Sequence, residues 1–118
     1  MSIRYNRFGV PLDTSGYAYS LLQNEMRCYL CGRNGSYDPL NRHECLHGAY
    51  RQKSKELGLW VYLCHKSCHQ FGKRSAHQCA ETDLHLKRKA QQAAMEAYGW
   101  TTEEWIAEYG KNYLGDNE

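Results

Sequence analysis

The fold of this chain is decided by two stretches, Arg27-Cys28-Tyr29-Leu30-Cys31-Gly32 and Leu59-Trp60-Val61-Tyr62-Leu63-Cys64-His65-Lys66-Ser67-Cys68-His69. Cys28 and Cys31 have the spacing of a zinc knuckle, a tight turn whose two thiolates meet one ion. Gly32 relieves crowding where backbone amides point at sulfur. The same spacing also serves redox pairs, which would show a titratable low-pKa thiol and no bound zinc. Metal is favoured by the second pair, Cys64 and Cys68, which is separated from Cys31 by 32 residues and ends an apolar run. Four thiolates at about 2.3 Å make the closed tetrahedral site that structural zinc prefers, with no position open for chemistry. The second pair is one residue wider than CxxC, and His65 or His69 is placed to replace a sulfur. Cys45 and Cys79 read as small core or surface residues.

Working outward, Leu59 to Leu63 is aromatic and branched, which predicts a buried strand delivering the chain to Cys64. Upstream, residues 1–16 read as an irregular arm. Tyr17 to Met26 suits a short helix or turn, Asn34 to Pro39 a polar turn, and Arg51 to Leu57 a loop or single helical turn closed by Gly58. Downstream, a helix is predicted from Glu81 or Thr82 to about Tyr98. Its inner positions are Leu84, Met95 and Tyr98, flanked by Ala90, Ala94 and Ala97, with Gln91 as a polar exception. Thr101-Thr102-Glu103-Glu104 has the form of a capping box, opening a last helix that carries Trp105, Ile106 and Tyr109 inward and stops at Gly110. The expected class is α+β, with an N-terminal arm (1–26), a zinc-knuckle core (27–80) and a C-terminal helical extension (81–118).

A chain of 118 residues, 42% apolar and 13% aromatic, is one domain with a small core, the kind that a bound metal stiffens. Met1-Ser2-Ile3-Arg4-Tyr5-Asn6-Arg7 has no apolar run behind it, and no segment reads as a membrane span. The expectation is therefore a cytoplasmic protein without membrane association, whose six cysteines serve metal rather than a disulfide framework. From Arg42 to Lys89 there are ten Lys/Arg against four Asp/Glu, while the rest carries five against nine. A basic middle between acidic ends suits a phosphate-facing site, although solvated helix and loop surfaces look the same.

Five of the six histidines lie between positions 43 and 77. A knuckle that shares one ion between both cysteine pairs would bring His43 together with His69 and His77. Neutral imidazoles ligate catalytic transition metals well, and Glu44 adds a carboxylate or a base beside them. His47, His65 and His85 read as surface or capping residues. A single distorted zinc site that uses one histidine is the alternative.

The order Cys28-x-x-Cys31-Gly32, Arg42-His43-Glu44, Gly48-Ala49-Tyr50-Arg51-Gln52-Lys53-Ser54-Lys55, Leu63-Cys64, Cys68-His69 and Ala76-His77 resembles the small HNH-like nucleases encoded by bacteriophages. Gly16-Tyr17-Ala18, Tyr98-Gly99-Trp100 and Tyr109-Gly110-Lys111-Asn112-Tyr113-Leu114 extend the resemblance from about Pro11 to Leu114. It implies a treble-clef, ββα-metal fold with added C-terminal helices, in the cytoplasm of a bacterial host. It also implies structural Zn²⁺ on Cys28, Cys31, Cys64 and Cys68, and a catalytic Mg²⁺, Mn²⁺ or similar ion on His69, His77 and His43. His43-Glu44 would fill the paired position in which one residue holds the metal and the other is the base. Either His43 ligates and Glu44 is the base, or His43 is the base and Glu44 ligates or orients; the second is slightly preferred because His69 and His77 can supply ligands. Two features depart from the pattern: no middle asparagine is recognisable before Leu63-Cys64, and His47 stands where a glycine is expected beside Gly48.

Two function classes follow. A DNA endonuclease would neutralise phosphates with Arg42, Arg51, Lys53, Lys55, Lys73 and Arg74 and bind in a salt-dependent way. A non-catalytic zinc module would bind nucleic acid, or a phage or host protein, without cutting.

Overall fold

The computed structural model describes residues 3–115, so the outermost residues assigned to the arm and to the C-terminal extension lie outside it. The elements are β1 (Leu40–Glu44), α1 (Arg51–Leu57), β2 (Trp60–Cys64), α2 (Ala80–Tyr98) and α3 (Thr102–Tyr109). A short turn, Gly48–Tyr50, precedes α1, and a six-residue π-type turn, His65–Gln70, follows β2. The protein is a small α+β structure with helices around a two-stranded antiparallel sheet. Among the described residues no helix is long and apolar enough to cross a membrane.

β2 forms where its branched and aromatic residues predict it, one residue later than the expected bounds. β1, in contrast, has no strand signal in Leu-Asn-Arg-His-Glu. It exists because β2 supplies a partner, in a register that sets His43 against Val61 and Glu44 against Trp60. Successive strand residues point to opposite faces, so His43 joins Val61 and Leu63 while Arg42 and Glu44 join Trp60 and Tyr62. Val61 and Leu63 are fully buried in the core with Leu46, Leu59, Leu86, Ala90, Ala94 and Trp105. The other face is covered by the N-terminal arm: Tyr17 packs edge-on against Trp60 at 5.4 Å, and Trp60 Nε1 donates to Ala18 O at 2.8 Å.

Several local expectations change. Tyr17 to Met26 holds no helix, because its polar groups bond elsewhere: Leu21 N–H donates to Gly58 O, and Gln23 Oε1 accepts from Tyr62 N–H. Arg51–Leu57 is a helix of seven residues, closed by left-handed Gly58 at φ 77°. On α2 the fully buried positions are Leu86, Ala90, Gln91 and Ala94, whereas Ala97 faces solvent. Gln91 tolerates burial because its amide is satisfied twice, donating to Asn112 Oδ1 and accepting from Tyr113 N–H, each at 2.8 Å. The capping box at Thr101 and Glu104 forms, and Trp105 and Tyr109 are buried, but Ile106 turns outward.

The π-type turn is held from several directions. Asp38 accepts the amides of Lys66 and Ser67 at 2.8 Å, and His65 N–H donates to Pro39 O at 2.7 Å. Gly72 passes so close to this turn that a Cβ there would lie 2.0 Å from Ser67 O. Gly72→Ala is therefore expected to destabilise the fold by about 1–3 kcal/mol through overpacking. Urea unfolding, followed by far-UV circular dichroism, measures the loss.

Candidate metal centres

The Sγ atoms of Cys28, Cys31, Cys64 and Cys68 all lie within 4.8 Å of one another. Cys31 and Cys64 are 3.6 Å apart, close to the edge of about 3.8 Å expected of a tetrahedron with zinc–sulfur bonds of about 2.3 Å. The knuckle is shaped by Gly32 N–H donating to Cys28 O and Cys28 N–H donating to Arg33 O. Gly32 sits at φ 79°, a left-handed conformation that glycine adopts without strain. The knuckle docks on the sheet through Tyr29 N–H to Tyr62 O at 2.8 Å, which sets it beside the end of β2.

Burial raises the Cys28 thiol, but backbone hydrogen bonds from Cys64, Cys31 and Leu30 outweigh it and bring it down to about 7. Cys64 is pushed up to about 12, first by burial and then by Cys31 and Cys28. Four sulfurs this close cannot all ionise unaided. A divalent cation supplies the missing compensation, so the group can hold zinc.

The second group lies on the other side of the same turn. His43, His69 and His77 bring ring nitrogens within 4.8 Å of one another. The ring centres are separated by 5.1 Å (His43–His69), 5.3 Å (His43–His77) and 4.7 Å (His69–His77). β1 contributes His43. The other two are set side by side by a short backbone pairing, Ala76 N–H to Cys68 O and His77 N–H to His69 O. His43 is 2% exposed, and among the described residues its Nε2 has no hydrogen-bond partner. Burial, followed by His69, His77 and His47, lowers its pKa to about 3; burial and then His77 lower that of His69 to about 4. Both rings are therefore neutral, which is the ligating form. His69 Nδ1 contacts Asn41 Oδ1 at 3.2 Å, a support that leaves its Nε2 for a metal. An orphaned buried nitrogen among neutral imidazoles fits a cation.

Glu44 is directed elsewhere. Its carboxylate accepts Tyr17 OH at 2.5 Å and Arg51 Nε at 2.8 Å, on the face of β1 opposite His43. The basic residues also divide. Arg42 pairs with Asp13 at 2.8 Å and lies over the Tyr17 ring, and Lys55 lies over the same ring. Lys53 is tied to Glu108 of α3. Lys73 and Arg74 are exposed on the segment between His69 and His77, Arg74 at 4.0 Å from Glu81. His65 contacts Asn41, and His85 is exposed on α2. His47, read from sequence as a surface residue, has its ring 6.0 Å from His43 and 5.9 Å from His77. The only sequence signal for it was its place four residues after His43.

No family model, curated protein or solved structure matches the chain.

The purified protein is expected to carry about one tightly held zinc. Cys64→Ser should lose it together with cooperative thermal unfolding, because structural zinc contributes folding free energy directly. Elemental analysis and calorimetry check both outcomes. Full retention of zinc would exclude the four-sulfur assignment.

Proposed function

We propose that the protein is a metal-dependent endonuclease of the HNH type, built on a treble-clef-like ββα-metal unit, which hydrolyses DNA phosphodiester bonds. One observation carries the reading: three converging imidazoles, two of them neutral by burial, with the buried Nε2 of His43 unpaired. In this reading the four cysteines hold zinc and keep the turn in shape, while His43, His69 and His77 hold Mg²⁺, Mn²⁺ or a similar ion. When bound, that ion stabilises the charge developing on the phosphate and on the leaving 3′ oxygen. His43 serves as a ligand rather than as the base, since its ring is buried and one of its nitrogens lies within 4.8 Å of those of His69 and His77. Lys73 and Arg74 flank the site and neutralise backbone phosphates, which makes binding weaken with salt.

A specific observation favours a second reading. The carboxylate of Glu44, at the paired position, is fully engaged by Tyr17 and Arg51. A chain that kept the metal groups and lost its base would be a zinc module binding nucleic acid or a protein without cutting.

Plasmid nicking separates the two. With Mg²⁺ or Mn²⁺ the wild-type protein is expected to nick supercoiled plasmid. His43→Ala and His77→Ala should lower the rate by about 100-fold or more, with zinc content and fold retained. Equal nicking by wild type and both variants would end the nuclease reading. One zinc with no second divalent site would support the binding module.

A further inference from the structure

His47 and Asp83 form a pair at the edge of the imidazole group that the sequence does not announce. His47 follows β1 in extended backbone just before the Gly48–Tyr50 turn, and its side chain is 41% exposed. Its Nε2 lies 3.0 Å from Asp83 Oδ1, in the first turn of α2. Asp83 is in turn paired with Lys87 at 2.8 Å. Burial raises the Asp83 carboxyl, but Lys87 and His47 outweigh it and keep the group ionised. The carboxylate accepts from His47 Nε2, and in the neutral form of a ring so held the lone pair is on Nδ1. Among the described residues nothing hydrogen-bonds to that Nδ1. An open cavity of about 340 Å³ is lined by His47, His77, Cys79 and Asp83 among others.

We propose that His47, oriented by Asp83, is the residue that takes the proton from the attacking water. This rests on the nuclease reading and deepens it. Neither member of the His43-Glu44 pair is available: the His43 ring is 2% exposed and packed against His69 and His77, and the carboxylate is bound on the opposite sheet face. His47 instead presents a half-exposed imidazole held by a carboxylate and packed beside His43 and His77. A carboxylate on the far nitrogen fixes the tautomer and stabilises the imidazolium that forms. In the reaction, water gives its proton to His47 Nδ1 and its oxygen bonds phosphorus. The bond from phosphorus to the 3′ oxygen breaks, that oxygen takes a proton from solvent, and His47 returns its own to solvent. The products are a 5′-phosphate and a 3′-hydroxyl.

The test uses zinc-loaded full-length protein, supercoiled plasmid and Mn²⁺, with Mn²⁺ affinity measured separately by calorimetry. His47→Ala should nick about 100-fold more slowly or worse and Asp83→Asn about 10-fold more slowly, both with unchanged Mn²⁺ affinity. Free imidazole should restore part of the His47→Ala rate. Wild-type rates in His47→Ala overturn the proposal and leave the nuclease reading standing. A tenfold loss of Mn²⁺ affinity makes His47 a ligand and also overturns it, as does a slow variant that imidazole fails to rescue. If the wild-type protein itself does not nick, both readings fall together.

Discussion

Cys68 and His69 are neighbours in the chain yet belong to different groups, one facing sulfurs and the other imidazoles. Everything at the site depends on the turn that separates them. Its π-type geometry, with Phe71 N–H reaching back five residues to Lys66 O, swings adjacent side chains in directions that an ordinary helical turn would not. Asp38 secures the near side of this turn and Gly72 permits the close return on the far side. The backbone pairing from Cys68 and His69 to Ala76 and His77 then carries the third imidazole into place. A cation held by the sulfurs would fix Cys64 and Cys68, hence the pitch of the turn, hence the aim of His69.

How much of this the sequence discloses depends on whether the signal is local. β2 is a run of branched and aromatic residues, and α3 opens with a capping box that forms as written. The cysteine pairs are legible because their spacing is itself the chemistry. β1 is not legible, since its five polar-rich residues become a strand only by pairing with β2. That omission misplaced Glu44: without the strand there is no alternation, and without alternation His43 and Glu44 look like companions. Their side chains in fact leave opposite faces. The same blindness covers charge partners. Arg42 and Lys53 read as phosphate ligands until Asp13 and Glu108, far away in sequence, are found beside them. Gln91 reads as a flaw in the inner stripe of α2 for the same reason, because Asn112 and Tyr113, which satisfy it, are 21 and 22 residues away.

The contrast between the two groups says what each can do. Four sulfurs around one point saturate a tetrahedral ion, and Cys28 and Cys64 are buried among apolar residues. Such a site exchanges nothing and serves the fold. Three imidazoles leave coordination positions open, and His77, the third of them, is exposed to solvent. The structure accepts costs to build that second group. Desolvated rings disfavour one another's protonation, and a buried nitrogen left without a partner costs about 1–3 kcal/mol. A divalent cation reverses each of those terms, since it prefers neutral imidazole, satisfies the orphaned nitrogen and leaves room for a further ligand toward the solvent. The three imidazoles can hold a cation, and His47 and Asp83 lie beside them.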